Sequence, residues 1–142
     1  MLMKRIWPMI LPVSLILLLS CKKFIQQQEE KAVISDVTNG LWYVSGYEKN
    51  DSNITSSFSG YLFKFDANNT VTGTWGYDSS MQGNWTVDIG ARTIYSDFPG
   101  AGTPLSYLNE TWLVTDSYTD SVSATSTDTV SHTSNILQLK KQ

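Results

Sequence analysis

Cys21 is the only cysteine of the 142-residue chain and His132 its only histidine, so a thiol nucleophile or an imidazole base could come from one position each. His132 lies in a Ser/Thr-rich stretch where a Ser-His-Asp set is possible in composition. No Gly-x-Ser-x-Gly elbow or oxyanion loop accompanies it, and an exposed loop histidine explains it as well. No His/Cys cluster has metal-ligand spacing. Asp66-Ala67-Asn68-Asn69 offers oxygens but lacks the acidic count of a calcium loop, and a hairpin turn explains it fully. Glycoside hydrolysis needs two carboxylates facing across a cleft, whereas the acids here are scattered singly at turns. The expectation is a protein that is not an enzyme, with no catalytic residue, metal or cofactor.

Cys21 has a more telling setting, Leu15-Ile16-Leu17-Leu18-Leu19-Ser20-Cys21-Lys22-Lys23-Phe24. Lys4 and Arg5 precede an apolar stretch from Ile6 to Leu19 that is interrupted by Pro8 and Pro12. At 14 residues it is shorter than the roughly 20 of a spanning helix. A basic start, a short apolar run and a small residue before a cleavage point make a secretory signal, with an uncut anchor as the alternative. Leu18-Leu19-Ser20-Cys21 resembles the bacterial lipobox. The resemblance implies cleavage after Ser20, a diacylglycerol on the Cys21 thiol and acylation of the new amine. Such a transfer needs a thiolate. Stable anchoring needs more than one chain, since each buried CH₂ contributes only about 0.8 kcal/mol. Lys22, directly after Cys21, resembles the outer-membrane sorting pattern; the leaflet is left open. With Cys21 acylated, no thiol remains for disulfides, and the domain must hold together by its core.

Loss of Lys4 and Arg5 leaves eight basic against 13 acidic residues, a net charge of −5. With no basic stripe, nucleic acid is not an expected partner. The expected partners are the membrane, through the acyl chains on Cys21, and either a small hydrophobic ligand or a periplasmic protein. Three segments follow: a signal peptide at 1–20, the lipidated Cys21 with a polar tether at 21–36, and one domain at 37–142. The tether, with its Gln/Glu/Lys composition, has some helical character.

Past residue 37, short β-branched and aromatic runs alternate with Gly, Asn, Asp, Ser and Pro. The pattern predicts strands at 41–47, 57–66, 70–77, 82–88, 92–98, 107–116, 118–125 and 134–140. In the second, Tyr61, Phe63 and Phe65 share one face, and Lys64 and Asp66 the other. Twelve of the twenty residues from Thr115 to Ser134 are Ser or Thr, which suits a solvated hairpin. Eight short strands without crossover helices predict an all-β, antiparallel up-and-down barrel, with an open sandwich as the competitor.

Asn39-Gly40-Leu41-Trp42 at the start of the first strand resembles the Gly-x-Trp signature of the lipocalins. Thr115-Asp116-Ser117-Tyr118 is similar to their Thr-Asp signature. Phe63-Lys64-Phe65, Gly83-Asn84-Trp85 and Trp112-Leu113-Val114 complete a likeness to compact lipocalin-like lipoproteins of Gram-negative envelopes. The resemblance implies an eight-stranded barrel plugged by Trp42. It also implies a basic residue packed over that ring after the last strand, for which Lys140 and Lys141 are the candidates. The domain is short and no arginine stands there, so a roomy calyx is not implied.

Trp42, Tyr61, Phe63, Phe65, Trp75, Trp85, Phe98 and Trp112 fall on the predicted strands. They either fill a small core or, in part, line a pocket. The ligand reading places a small apolar molecule inside the barrel against Trp42, Phe63, Phe65, Trp75 and Trp85. The other reading is a protein-docking or inhibitor module with a solid interior. An interior cavity of drug-like volume separates the two.

Overall fold

The computed structural model describes residues 13–142, with side chains from Lys22 onward. The start of the signal segment, residues 1–12, and the Cys21 side chain lie outside the described residues.

One helix, α1 (Val13–Thr38), precedes the sheet. From Val13 on, no Gly or Pro interrupts it before Gly40. The Gln/Glu/Lys/Ala run at 26–32 consists of good helix formers. The segment expected to be a polar tether is thus continuous helix, and its last turns are not free. Val37 is buried, and Val33 and Ile34 pack against the core. The Thr38 hydroxyl donates to the Ile34 carbonyl at 2.7 Å. Gly40, at φ +102°, then turns the chain into the first strand, a conformation that glycine adopts at little cost.

Nine strands follow: β1 (Trp42–Lys49), β2 (Ser52–Asn53), β3 (Tyr61–Phe65), β4 (Thr70–Trp75), β5 (Ser79–Asp88), β6 (Thr93–Asp97), β7 (Glu110–Ser117), β8 (Ser121–Asp128) and β9 (Thr133–Lys141). All pairings are antiparallel. β1 and β3 to β9 run in sequence order, and β9 closes onto β1 from Trp42↔Lys141 to Lys49↔Asn135. The result is a closed eight-stranded up-and-down barrel, with β2 as a short extra strand on β1. Every one of the eight expected strands is present.

The seams differ. β1 pairs with β9 over most of its length but with β3 only at Trp42↔Phe63. The gap is filled by residues 50–60, where a 3-10 turn (Thr55–Phe58) replaces the first half of the strand expected at 57–66. Gly60, at φ +83°, ends that turn, so Phe58 reaches the core from outside the sheet. A second 3-10 turn (Leu105–Leu108) replaces the start of the strand expected at 107–116. β1 also carries a bulge between Val44 and Gly46. The extra residue lets Trp42, Val44 and Tyr47 all point inward.

The interior alternates as a half-buried sheet should. Phe63 and Phe65 face in, while Lys64 and Asp66 pair outside at 3.5 Å. Gly83 is required by space: a Cβ there would meet the Asp97 carbonyl and the Phe98 ring. Each of the three buried tryptophans has its indole N–H satisfied. Trp42 donates to the Val37 carbonyl at 2.8 Å, Trp85 to Asp66 at 2.9 Å and Trp112 to Leu108 at 3.2 Å. Lys141 places its ammonium 5.2 Å from the centre of the Trp42 ring. Of the two lysines considered for that position, Lys141 occupies it.

Candidate functional site

The barrel has two unlike ends. At the end where β1 begins, the base, lie the turns 66–69, 89–92 and 118–120, together with α1. At the far end lie residues 50–60 and 98–109.

The far end is stoppered. The Tyr47 hydroxyl donates to the Tyr107 carbonyl at 2.7 Å. Its ring stacks on Phe58 at 5.2 Å and meets Trp112 edge-on at 5.9 Å. Burial pushes the Tyr47 phenol well above its ordinary pKa, with Glu110 and Tyr107 adding to the shift. Burial likewise raises the Glu110 carboxyl; Asp128 adds to this and Lys49 opposes it. Asp128 is held low by hydrogen bonds from the Ser131 hydroxyl and the Val130 and Ser131 amides.

Inside the barrel the hollow is about 40 Å³, bounded by Phe63, Phe65, Ala124 and Leu137 among others. That is room for a water molecule and not for a drug-sized ligand, which takes roughly 300–1,000 Å³.

The base holds the larger space. A cleft of about 630 Å³ runs between α1 and the barrel rim. Gln26, Glu29, Ala32, Val33, Asp36 and Val37 form its roof. Their spacing follows one face of a helix. Trp42, Val87, Ile94, Val114 and Val122 form an apolar floor. Asp88, Arg92, Ser117 and Tyr118 stand at its edge. α1 is held on the rim by its last turns: Val37 is buried and its carbonyl receives the Trp42 indole, and Val33 and Ile34 pack against the core. Further toward its start, the Gln26 amide nitrogen passes 3.9 Å from where a Gly90 Cβ would stand.

The five residues expected to line a ligand pocket are not gathered around one. Trp42, 1% exposed, reaches the floor of the cleft from below. Phe63 and Phe65 border the small hollow. Trp85 is packed edge-on against Phe65 at 5.4 Å. Trp75 is 55% exposed at the far rim, with its indole nitrogen 3.2 Å from the position of a Gly60 Cβ. Its alternation with Val71 and Gly73 puts it on the inward side, but it is the last residue of β4, paired with Tyr61 and Ser79 at the rim. Apart from Trp42, the cleft residues were not picked out from the sequence. The signal available was the i, i+3, i+7, i+11 spacing of Gln26, Glu29, Val33 and Val37. His132 lies exposed in the turn between β8 and β9.

No family model and no curated protein matches the chain. Among solved structures, the crystal structure of a DUF4847 family protein from Bacteroides vulgatus ATCC 8482 is similar, with a TM-score of 0.52 and 16% identity. The likeness covers 78% of this chain and 99% of that one. At that identity it shows a shared fold and nothing more.

Proposed function

We propose that this is a lipid-anchored envelope protein, related to the lipocalin-like lipoproteins, that binds a small, largely apolar molecule in the cleft beneath α1. The observation that carries the binding reading is the contrast in volume, about 630 Å³ under the helix against about 40 Å³ in the barrel. The first lies within the range of ligand sites and the second far below it. The floor supplies apolar surface, and the edge supplies a few polar groups to fix orientation. The kinship rests on the ordered motifs and is supported by Lys141 packed over Trp42. The anchor rests on the lipobox resemblance at Cys21. Among the described residues no helix is long and apolar enough to cross a membrane.

The binding test is an amide NMR titration of the purified protein with N-phenyl-1-naphthylamine. Shifts concentrated at residues 26–37 and 87–94 are expected. Shifts confined to Phe63, Phe65 and Ala124 would contradict the cleft. For the anchor, Cys21→Ala is expected to leave the membrane fraction; a variant still processed and pelleted with membranes would remove that part.

The solid interior also favours a second reading, a protein-docking module acting through its surface. Trp75 at the end of β4 and Tyr77 in the β4–β5 turn stand exposed, with Gly76 between them. Native mass spectrometry of envelope-purified protein distinguishes a co-purifying small molecule from a second chain.

A further inference from the structure

The cleft presents charges of both signs that do not meet. Glu29 and Asp36 lie on the roof and Arg92 on the β5–β6 turn below. Among the described residues the ion pair is Lys64–Asp66, outside the barrel, so Arg92 has no salt bridge to Glu29, Asp36 or Asp88. The Asp88 carboxylate accepts the Ala91 N–H at 3.0 Å. The root of Arg92 is fixed. Its N–H donates to the Ile89 carbonyl at 3.2 Å, and its own carbonyl accepts from Val114 at 2.9 Å. The same cleft is lined by the apolar floor, by the Asp88 carboxylate and by the neutral hydrogen-bonding groups of Gln26, Ser117 and Tyr118.

Opposite charges set around one apolar space without reaching each other suit a ligand that brings both countercharges. We propose that the cleft binds a short apolar peptide with free ends, its carboxylate on Arg92 and its ammonium between Glu29 and Asp36. This rests on the reading of the cleft as a ligand site. Guanidinium matches a carboxylate with two parallel hydrogen bonds. The apolar side chains cover the floor, and the neutral edge groups take the peptide amides. A fatty acid or an alkylamine satisfies only one of the two charge sets.

The test is calorimetric titration of the purified protein with a Leu-Val-Leu-Val tetrapeptide in four forms: free, N-acetylated, C-amidated and blocked at both ends. Blocking either end is expected to weaken binding about tenfold, the scale of one charge-assisted hydrogen bond. Arg92→Gln should erase the difference between acid and amide while keeping the ammonium effect. The double variant Glu29→Gln/Asp36→Asn should do the reverse. All three positions are exposed, so the fold survives these changes. A doubly blocked peptide that binds as tightly as the free one overturns the proposal. So does binding of decanoate or decylamine with none of the peptides. If N-phenyl-1-naphthylamine occupies the cleft and no peptide does, the peptide proposal falls and the cleft reading stands. If neither binds, both fall.

Discussion

The two ends of the barrel are closed by different means. At the far end, long connections fold inward and carry Phe58, Phe98, Leu105 and Leu108 into the core, where Tyr47 and Trp112 complete the stopper. At the base the connections are short turns, and closure falls to Trp42 and a helix whose last turns rest on the rim through Val33, Ile34 and Val37. Inward-folded loops fill space. A straight rod laid across a curved rim leaves space beneath it. The difference teaches that in a barrel this small the interior serves stability, and room for a ligand arises where an outside element bridges an end.

The largest effect is expected at the base plug. Trp42→Ala removes a buried ring, its bond to Val37 and the support for Lys141. It should cost about 3–5 kcal/mol in denaturant unfolding, as other large buried aromatics do. If the variant were as stable as the parent, the base would not be a structural closure at all.

Gly83→Ala should come next. The added methyl meets the Asp97 carbonyl, which is backbone and cannot rotate away. A loss of about 1–3 kcal/mol is expected from overpacking, read by the same unfolding curve.

Tyr47→Phe tests the far end more gently. It keeps the stacking on Phe58 and removes the bond to the Tyr107 carbonyl. About 1 kcal/mol should be lost, with no change in probe binding at the opposite end.

The strands could be read from the sequence because their cause is local. Alternation such as Tyr61–Phe65 and Asn135–Leu139, bounded by turn residues, needs no knowledge of the rest of the chain. Trp42 was legible for the same reason, from the Gly40-Leu41-Trp42 entry. Tyr47 was not singled out from the sequence, because the bulge that turns it inward shifts the alternation by one residue and leaves no mark in composition. Phe58 looked like a strand residue because its spacing to Tyr61 hides the turn at Gly60. The cleft was the least legible part. Its roof offers only Ala32, Val33 and Val37 beside Gln26, Glu29 and Asp36, in a stretch of α1 whose 26–31 run is wholly polar, so it reads as a tether. Its floor is drawn from β1, β5, β6, β7 and β8, which meet only once the barrel closes. The ligand residues proposed from the sequence were large aromatics; Phe63, Phe65 and Trp85 fill the barrel, Trp42 closes its base under the cleft, and Trp75 stands exposed.

The smallest effect concerns pH at the far end. Burial raises the Glu110 carboxyl, so the folded state holds that proton more tightly than the unfolded state does. Stability from this group is present below the ordinary carboxyl value and is lost as pH rises through the raised one. Glu110→Gln should flatten that part of the Tm-against-pH curve and leave probe affinity unchanged. A curve of unchanged slope would show that Glu110 does not titrate differently in the fold.

The central claim is that the ligand space lies under α1 and not inside the barrel. The direct measurement is fluorescence titration with N-phenyl-1-naphthylamine on two space-filling variants. Ala32→Trp fills the cleft from its roof, and Ala124→Val fills the interior hollow. Binding should be lost in Ala32→Trp and unchanged in Ala124→Val. Retained binding in Ala32→Trp with loss in Ala124→Val would put the ligand inside the barrel and contradict the claim.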